Sequence, residues 1–243
     1  MKTSREIVID TIKFNNPERF PFDLSEKYGS DFYYINMQPS VDDRHDKGID
    51  EWGCKWDNIG VCSLGEVKEF PIKEWSNFNK MQIPDITLSD RWKNIENAKN
   101  KANGKFIMGF GISLFERIHF LRGLQNTWLD IYDSPKELSK ILDILTDMNI
   151  YAIKKYAAAG ADGYMFCDDW GFQDKLMISP EKWREIWKPR YKKVYDTAHK
   201  YGLYTFLHSC GYILEILDDL AEVGLDAGLL HEPKNVTNEL NLI

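Results

Sequence analysis

A histidine and a cysteine stand two residues apart in the motif HSCG (208–211), directly after the apolar run 203–207. In extended backbone, side chains two positions apart point to the same side, so the His208 imidazole and the Cys210 sulfur can reach one point. Zinc binds both groups, and catalytic zinc is held by three protein ligands with a fourth position open. The alternative is a chance pairing of two residues that are also common in cores. The spacing predicts two ligands of a zinc site.

Two consecutive carboxylates, Asp168 and Asp169, follow the apolar segment 162–167. At a strand end they are candidate catalytic groups: a base, a hydrogen-bonding group for substrate, or a partner that orients a metal-bound His208. The alternative is a loop of solvated acids. Adjacent residues of a strand point to opposite sides, so at most one of the two should face inward.

Strand patterns and helix patterns alternate along the chain, and the elements that they predict determine where these candidate residues lie. Apolar runs predict strands, and helical spacing with capping residues predicts the segments between them. The predicted strands are 20–22, 105–111, 162–167, 203–207 and 225–230, and the predicted helices are 4–13, one beginning at 114–122, 134–159, 179–202 and 212–223. Repeated β-then-α units with nearly continuous apolar strands predict a parallel sheet covered on both faces, with its chemistry at the carboxyl ends of the strands.

The region 42–84 is rich in Trp, Gly, Pro and charge and shows no sustained periodicity. Irregular excursions of this length inside a compact domain are usually functional covers or binding loops. An ordered cap whose aromatic residues only pack is the alternative. No linker divides the chain, so we expect one domain over residues 1–243.

Composition limits the classes of partner. The chain has 31 basic and 38 acidic residues, a net charge of −7, which disfavours binding to a phosphate backbone and favours a small-molecule substrate. No apolar run approaches the roughly 20 residues that a membrane helix needs. The polar start and the four cysteines are typical of free thiols in the cytoplasm, where we expect the protein to act.

Taken together, these segments resemble the uroporphyrinogen decarboxylase superfamily, and within it the corrinoid-linked methyltransferase branch. The matching blocks cover most of the chain: 4–24, 50–56, 109–126, 160–173, 177–211 and 216–230. The resemblance implies a TIM-type (β/α)₈ barrel, and for the methyltransferase branch a zinc held by the His and Cys of the His-x-Cys-Gly motif and by a cysteine near the C-terminus.

Carried onto this sequence, the first two implied zinc ligands are His208 and Cys210. No cysteine follows Cys210, and the chain ends about three β/α units before the family does. We therefore expect either a C-terminally truncated barrel or a different third ligand. The candidates are His231, Glu232 and Asp169.

The function that the resemblance implies is methyl transfer between a small methylated substrate or thiol and a corrinoid (cobalamin) carried by a partner protein, with zinc as Lewis acid. Asp168 or Asp169 would orient His208 or the substrate. Glu116 and Arg117, on the helix after GFGIS, are expected to bind substrate. The excursion 42–84 is expected to help cover the barrel mouth.

Three other functions stay open. A decarboxylase of the parent superfamily is disfavoured, because its arginine-rich signature is absent: segment 23–34 contains no arginine. A metal-independent hydrolase would pair Asp168 or Asp169 with Glu232 across one cleft. A truncated, non-catalytic barrel would expose strand edges and apolar faces and should self-associate.

Overall fold

The computed structural model describes residues 2–24, 28–40, 48–57 and 65–231. Parts of the predicted excursion (41–47 and 58–64), the candidate ligand Glu232 and the side chain of His231 lie outside what is described. None of the helices in the described ranges is long and apolar enough to cross a membrane.

Five parallel strands form the main sheet. The strands in the described residues are β1 (Phe32–Ile35), β2 (Lys55–Asp57), β3 (Glu66–Glu69), β4 (Phe106–Phe110), β5 (Gly163–Cys167), β6 (Tyr204–Cys210) and β7 (Ala227–His231). The main sheet has the order β1-β4-β5-β6-β7, while β2 and β3 form a separate antiparallel pair. Because successive strands of the main sheet are parallel neighbours joined through helices, the architecture is that of a TIM-type α/β barrel. The predicted fold class is confirmed, as an arc of five strands in the described residues.

Helices connect the strands and cover one face of the sheet. The α-helices are α1 (Ser4–Ile12), α2 (Trp75–Phe78), α3 (Ala98–Ala102), α4 (Phe115–Arg122), α5 (Leu124–Asp133), α6 (Pro135–Ala159), α7 (Pro180–Ile186), α8 (Lys188–Lys200) and α9 (Leu217–Glu222). Within the described ranges, 3₁₀ turns cover Ser89–Ile95 and Leu214–Ile216. The large core lies between this helical layer and the sheet.

Alternation along β5 and β6 sorts their side chains onto two faces. Phe166 and Leu207 are register partners, and both pack in the core beneath the helices. Met165 and Phe206, one position earlier, pack instead in a smaller cluster with Val8 of α1 on the opposite face. That second face is the inward face of a barrel, and α1 closes the barrel at the end where the strands begin.

The structure differs from two sequence predictions. The predicted helix 179–202 is two helices, α7 and α8, separated at Trp187. Pro189 has no N–H to donate to the carbonyl of Glu185, so the ladder is interrupted there. The predicted strand 20–22 is wrong: those residues do not join the main sheet, whose first strand begins at Phe32.

A bidentate ion pair fixes the chain where it enters β1. Arg19 Nη1 and Nη2 lie 2.6 and 2.7 Å from the two carboxylate oxygens of Asp31, and the backbone N–H of Phe22 donates to the same carboxylate at 2.9 Å. The Arg19 guanidinium lowers the pKa of the buried Asp31 carboxyl to about 2. The ionised acid thus holds segment 19–22 against the first strand.

Replacing this acid, Asp31→Asn, should lower the free energy of unfolding by about 2 kcal/mol at pH 7. Because the folded-state pKa lies below that of the unfolded chain, the contribution is present above about pH 4 and is lost as pH falls toward 2. Urea unfolding of both proteins from pH 7 to pH 2 measures this. A difference that stays constant down to pH 2 would contradict the assignment.

Candidate active site

Strand β6 is longer than its sequence indicates and includes the first three residues of the HSCG motif. The strand extends through Cys210, three residues past the predicted end at Leu207, so His208 and Cys210 are consecutive residues on one face. The Cys210 Sγ lies 3.4 Å from His208 Nε2. Both side chains are partly exposed. The two predicted ligands therefore lie together at the carboxyl end of the sheet.

Asp169 joins them from the loop that follows the neighbouring strand, β5. One of its carboxylate oxygens lies 3.8 Å from His208 Nε2 and accepts a hydrogen bond of 2.8 Å from the backbone N–H of Cys210. Ligand atoms of Asp169, His208 and Cys210 all lie within 4.8 Å of one another. With 24% of the His208 side chain and 32% of the Asp169 side chain exposed, a small molecule can reach this triad.

Two glycines bring the loops after β5 and β6 into direct contact. A Cβ atom on Gly211 would overlap the carbonyl of Gly171, and one on Gly171 would overlap the backbone of Tyr212. Gly211 also has φ +81°, a conformation that favours glycine. The Gly171 N–H donates to the Cys210 carbonyl at 3.1 Å. This close approach holds Asp169 beside Cys210.

Asp168, the other predicted catalytic carboxylate, is fully buried on the opposite side of the chain. It accepts backbone N–H bonds of 2.9 to 3.0 Å from Leu114, Phe115 and Glu116 at the start of α4, and the Tyr191 hydroxyl donates to it at 2.8 Å. Burial raises its pKa to about 7, against these four hydrogen bonds, which favour the ionised form. These contacts position α4. They leave Asp168 without the access to a cleft that a hydrolytic carboxylate pair requires.

The two predicted substrate-binding residues on α4 lie in different surroundings. Burial, and next the charges of Asp168 and Asp169, raise the pKa of Glu116 to about 8. Arg117 instead contacts the excursion: its Nη1 lies 3.2 Å from an Asp50 carboxylate oxygen, and its guanidinium carbon lies 5.0 Å from the ring centre of Trp52. Glu116 therefore forms an acidic cluster with Asp168 and Asp169. Arg117 instead fastens the excursion to α4.

The described part of the excursion packs on the helices that follow β4. The Cys54 thiol donates to the Phe120 carbonyl at 3.2 Å, and the Ile72 N–H donates to the Leu121 carbonyl at 2.9 Å. The Trp75 indole N–H donates to Asp130 at 2.9 Å. These contacts are those of an ordered cap against α4 and α5. The predicted cover over the mouth remains a prediction.

Two further groups near the triad had no role in the sequence interpretation. Cys167 is partly buried at the end of β5, and burial, together with the charges of Glu116, Asp168 and Asp169, raises its pKa to about 12. Burial lowers the pKa of His119 to about 4, so this imidazole is neutral at pH 7. Cys167 was identifiable in principle, since it ends a predicted apolar strand just before the acids.

The triad fits a zinc ion by the chemistry of its donors. Thiolate sulfur, imidazole nitrogen and carboxylate oxygen are the three kinds of ligand that zinc accepts in proteins. Burial and the charge of Asp169 raise the pKa of Cys210 to about 11, and a bound cation reverses that effect. His208, Cys210 and Asp169 thus offer three donor atoms close together, and three is the number of protein ligands typical of a catalytic zinc site.

These features define a TIM-type α/β barrel protein whose polar side chains converge at the carboxyl ends of its strands. The family model of uroporphyrinogen decarboxylase (URO-D) matches residues 64–240, and the chain belongs to this family. The superfamily resemblance is thereby confirmed.

Among 23 solved chains with a similar fold, a methyltransferase from Methanosarcina mazei superposes with a TM-score of 0.55 at 20% identity. The alignment covers 80% of this chain and 56% of that methyltransferase, so this chain spans little more than half of its length. At this identity the likeness supports the fold. No curated protein matches the sequence.

The two adjacent acids should respond differently to substitution. Asp168→Ala leaves three N–H groups at the start of α4 without an acceptor and should lower the free energy of unfolding by about 3 kcal/mol or more. Asp169→Ala removes one partly exposed acceptor and should lower the free energy of unfolding by about 1 kcal/mol or less. Urea unfolding of the metal-free proteins compares them. Equal losses would contradict the distinction between a positioning and an exposed carboxylate.

Proposed function

We propose that this protein is a zinc-dependent methyltransferase, which moves a methyl group between a small methylated substrate or thiol and a corrinoid carried by a partner protein. The observation that carries the proposal is the triad of sulfur, nitrogen and oxygen donors within 4.8 Å at the carboxyl ends of β5 and β6. Membership of the URO-D family and the fold shared with a methyltransferase support it.

His208, Cys210 and Asp169 would hold the zinc. When bound, the ion supplies Lewis acidity, which lowers the pKa of a thiol acceptor or polarises the heteroatom of a methyl donor. The Cys210 backbone N–H holds the Asp169 carboxylate next to the Cys210 sulfur. Since the triad is partly exposed, a small substrate and the cobalt of a corrinoid can both approach it.

The residues around the triad would position the substrate. Burial, and next the charges of Asp168 and Asp169, raise the pKa of Glu116 to about 8 in the metal-free chain, and its carboxyl group would form a hydrogen bond with a substrate heteroatom. Asp168 fixes the first turn of α4, and therefore the backbone of Glu116, through three N–H bonds. Arg117 acts indirectly, by fastening the excursion to the same helix.

Zinc content gives the first test. The purified chain should bind about one zinc ion, and His208→Ala or Cys210→Ala should each abolish that zinc, because two remaining ligands hold it weakly. Matched controls are His199→Ala, at a histidine paired with Asp226, and Cys54→Ala, at a buried cysteine hydrogen-bonded to Phe120. Elemental analysis after dialysis measures the content. Full zinc occupancy in both site variants would contradict the ligand assignment.

Methyl transfer gives the second test. The zinc-loaded protein with methylcobalamin and 2-mercaptoethanol should convert the methylcobalamin spectrum to that of demethylated corrinoid. Cys210→Ala should lose most of this rate, while Cys54→Ala keeps it. The reverse reaction is assayed with reduced cobalamin and methylated thiols, amines and phenols. A zinc-loaded protein that shows no transfer in either direction would overturn the proposed function.

A further inference from the structure

The segment that follows β5 continues to pair with β6, but it contains an extra residue. The Asp168 N–H donates to the His208 carbonyl at 3.0 Å, and the Gly171 N–H donates to the Cys210 carbonyl at 3.1 Å. In a regular parallel ladder the bonds are evenly spaced, so successive donors would lie two residues apart, as these two acceptors do. The donors lie three residues apart. Segment 168–171 therefore forms a β-bulge, a feature that re-aims side chains next to active sites.

Two side chains replace backbone groups at this bulge. The Ser209 hydroxyl accepts the Trp170 N–H at 3.1 Å, and the Asp169 carboxylate accepts the Cys210 N–H at 2.8 Å. Ser209 stands between the two predicted ligands of the HSCG motif but is fully buried, because its side chain points to the opposite face of β6. The bulge is thus closed by Ser209 on the core side of the sheet and by Asp169 on the inward side.

Trp170 is held in place by its own side chain. Its indole N–H donates to the Tyr191 hydroxyl at 2.9 Å, and that hydroxyl donates to Asp168 at 2.8 Å. The fully buried ring stacks on Phe115 of α4, with 4.4 Å between the ring centres. A buried backbone N–H is costly without an acceptor, and the Ser209 hydroxyl supplies that acceptor where the ring holds Trp170.

We propose that Ser209 is a positioning residue: by accepting the Trp170 N–H, it keeps the bulge and holds the Asp169 carboxylate at the triad. Without the hydroxyl, the Trp170 N–H needs another acceptor, and a regular ladder would give it the Cys210 carbonyl. Taking that acceptor removes the bulge and turns the Asp169 side chain away from the triad. This inference rests on the proposed function, because it concerns the residues that hold the same zinc site.

The zinc Kd of Ser209→Ala tests the inference. It should rise about tenfold, in the range seen when a group that supports a metal ligand is removed, because Asp169 no longer meets the ion. Thr205→Val is the matched control. It removes a buried hydroxyl from the same face of β6, at the other end of the strand, where Thr205 bonds to Gly224 and Asp226. This control should keep the wild-type Kd in a chelator competition. An unchanged Kd in Ser209→Ala, or an equal rise in Thr205→Val, overturns the inference.

A double variant distinguishes positioning of Asp169 from a general loss of order. If Ser209 acts through Asp169, adding Ser209→Ala to Asp169→Ala should leave the zinc Kd of Asp169→Ala unchanged. Two independent effects would instead multiply. A further tenfold rise in the double variant overturns the positioning role.

Hydrogen exchange tests the bulge in the metal-free protein. The N–H groups of Gly171 and Cys210 lose their present acceptors when the bulge is removed, so in Ser209→Ala both should exchange about tenfold faster than in the wild type. In Thr205→Val their rates should stay at the wild-type values. Amide exchange followed by NMR measures each group separately. Unchanged rates at both positions in Ser209→Ala overturn the inference.

The outcomes separate the two proposals. A wild-type protein that binds no zinc contradicts the proposed function, and the exchange rates then decide whether Ser209 holds Asp169. A protein that loses its zinc in His208→Ala but keeps its full zinc affinity in Ser209→Ala supports the proposed function and contradicts only the role of Ser209.

Discussion

The buried carboxylate of Asp168 is the contact on which the arrangement of the site depends. Removing a charge from water is costly, and here three N–H groups at the start of α4 and the Tyr191 hydroxyl compensate for that cost. The positive end of the helix dipole adds to the compensation. Since Asp169 is the next residue, the bond that anchors α4 also sets where the triad's carboxylate emerges from β5.

The sequence predicted the sheet and much of the site, because those signals are local. Helix α6 has a proline at its first position and Gly160 at its end, and β5 and β6 are short apolar runs. Alternation predicted that at most one of the two adjacent acids faces inward. Which acid does so depends on the N–H groups of α4, about fifty positions away along the chain, and no local pattern carries that information.

The misplaced first strand shows a similar limit. An apolar triplet at 20–22 has the composition of a strand, yet the Arg19–Asp31 pair holds that segment at the edge of β1. Cys167 is the register partner of His208, and register between distant strands follows from the packing of the whole sheet. Sequence identifies the chemical groups, and the parallel topology decides which of them meet.

The contact between Gly171 and Gly211 couples the loop after β5 to the loop after β6. Since the peptides of Gly171 and Gly211 are in contact, neither loop can change length or gain a side chain there without moving the other. Barrel enzymes usually diversify one loop at a time, since each loop is largely independent of its neighbours. In this chain a new specificity would have to arise through paired changes in both loops, or elsewhere, on α4 or in the excursion.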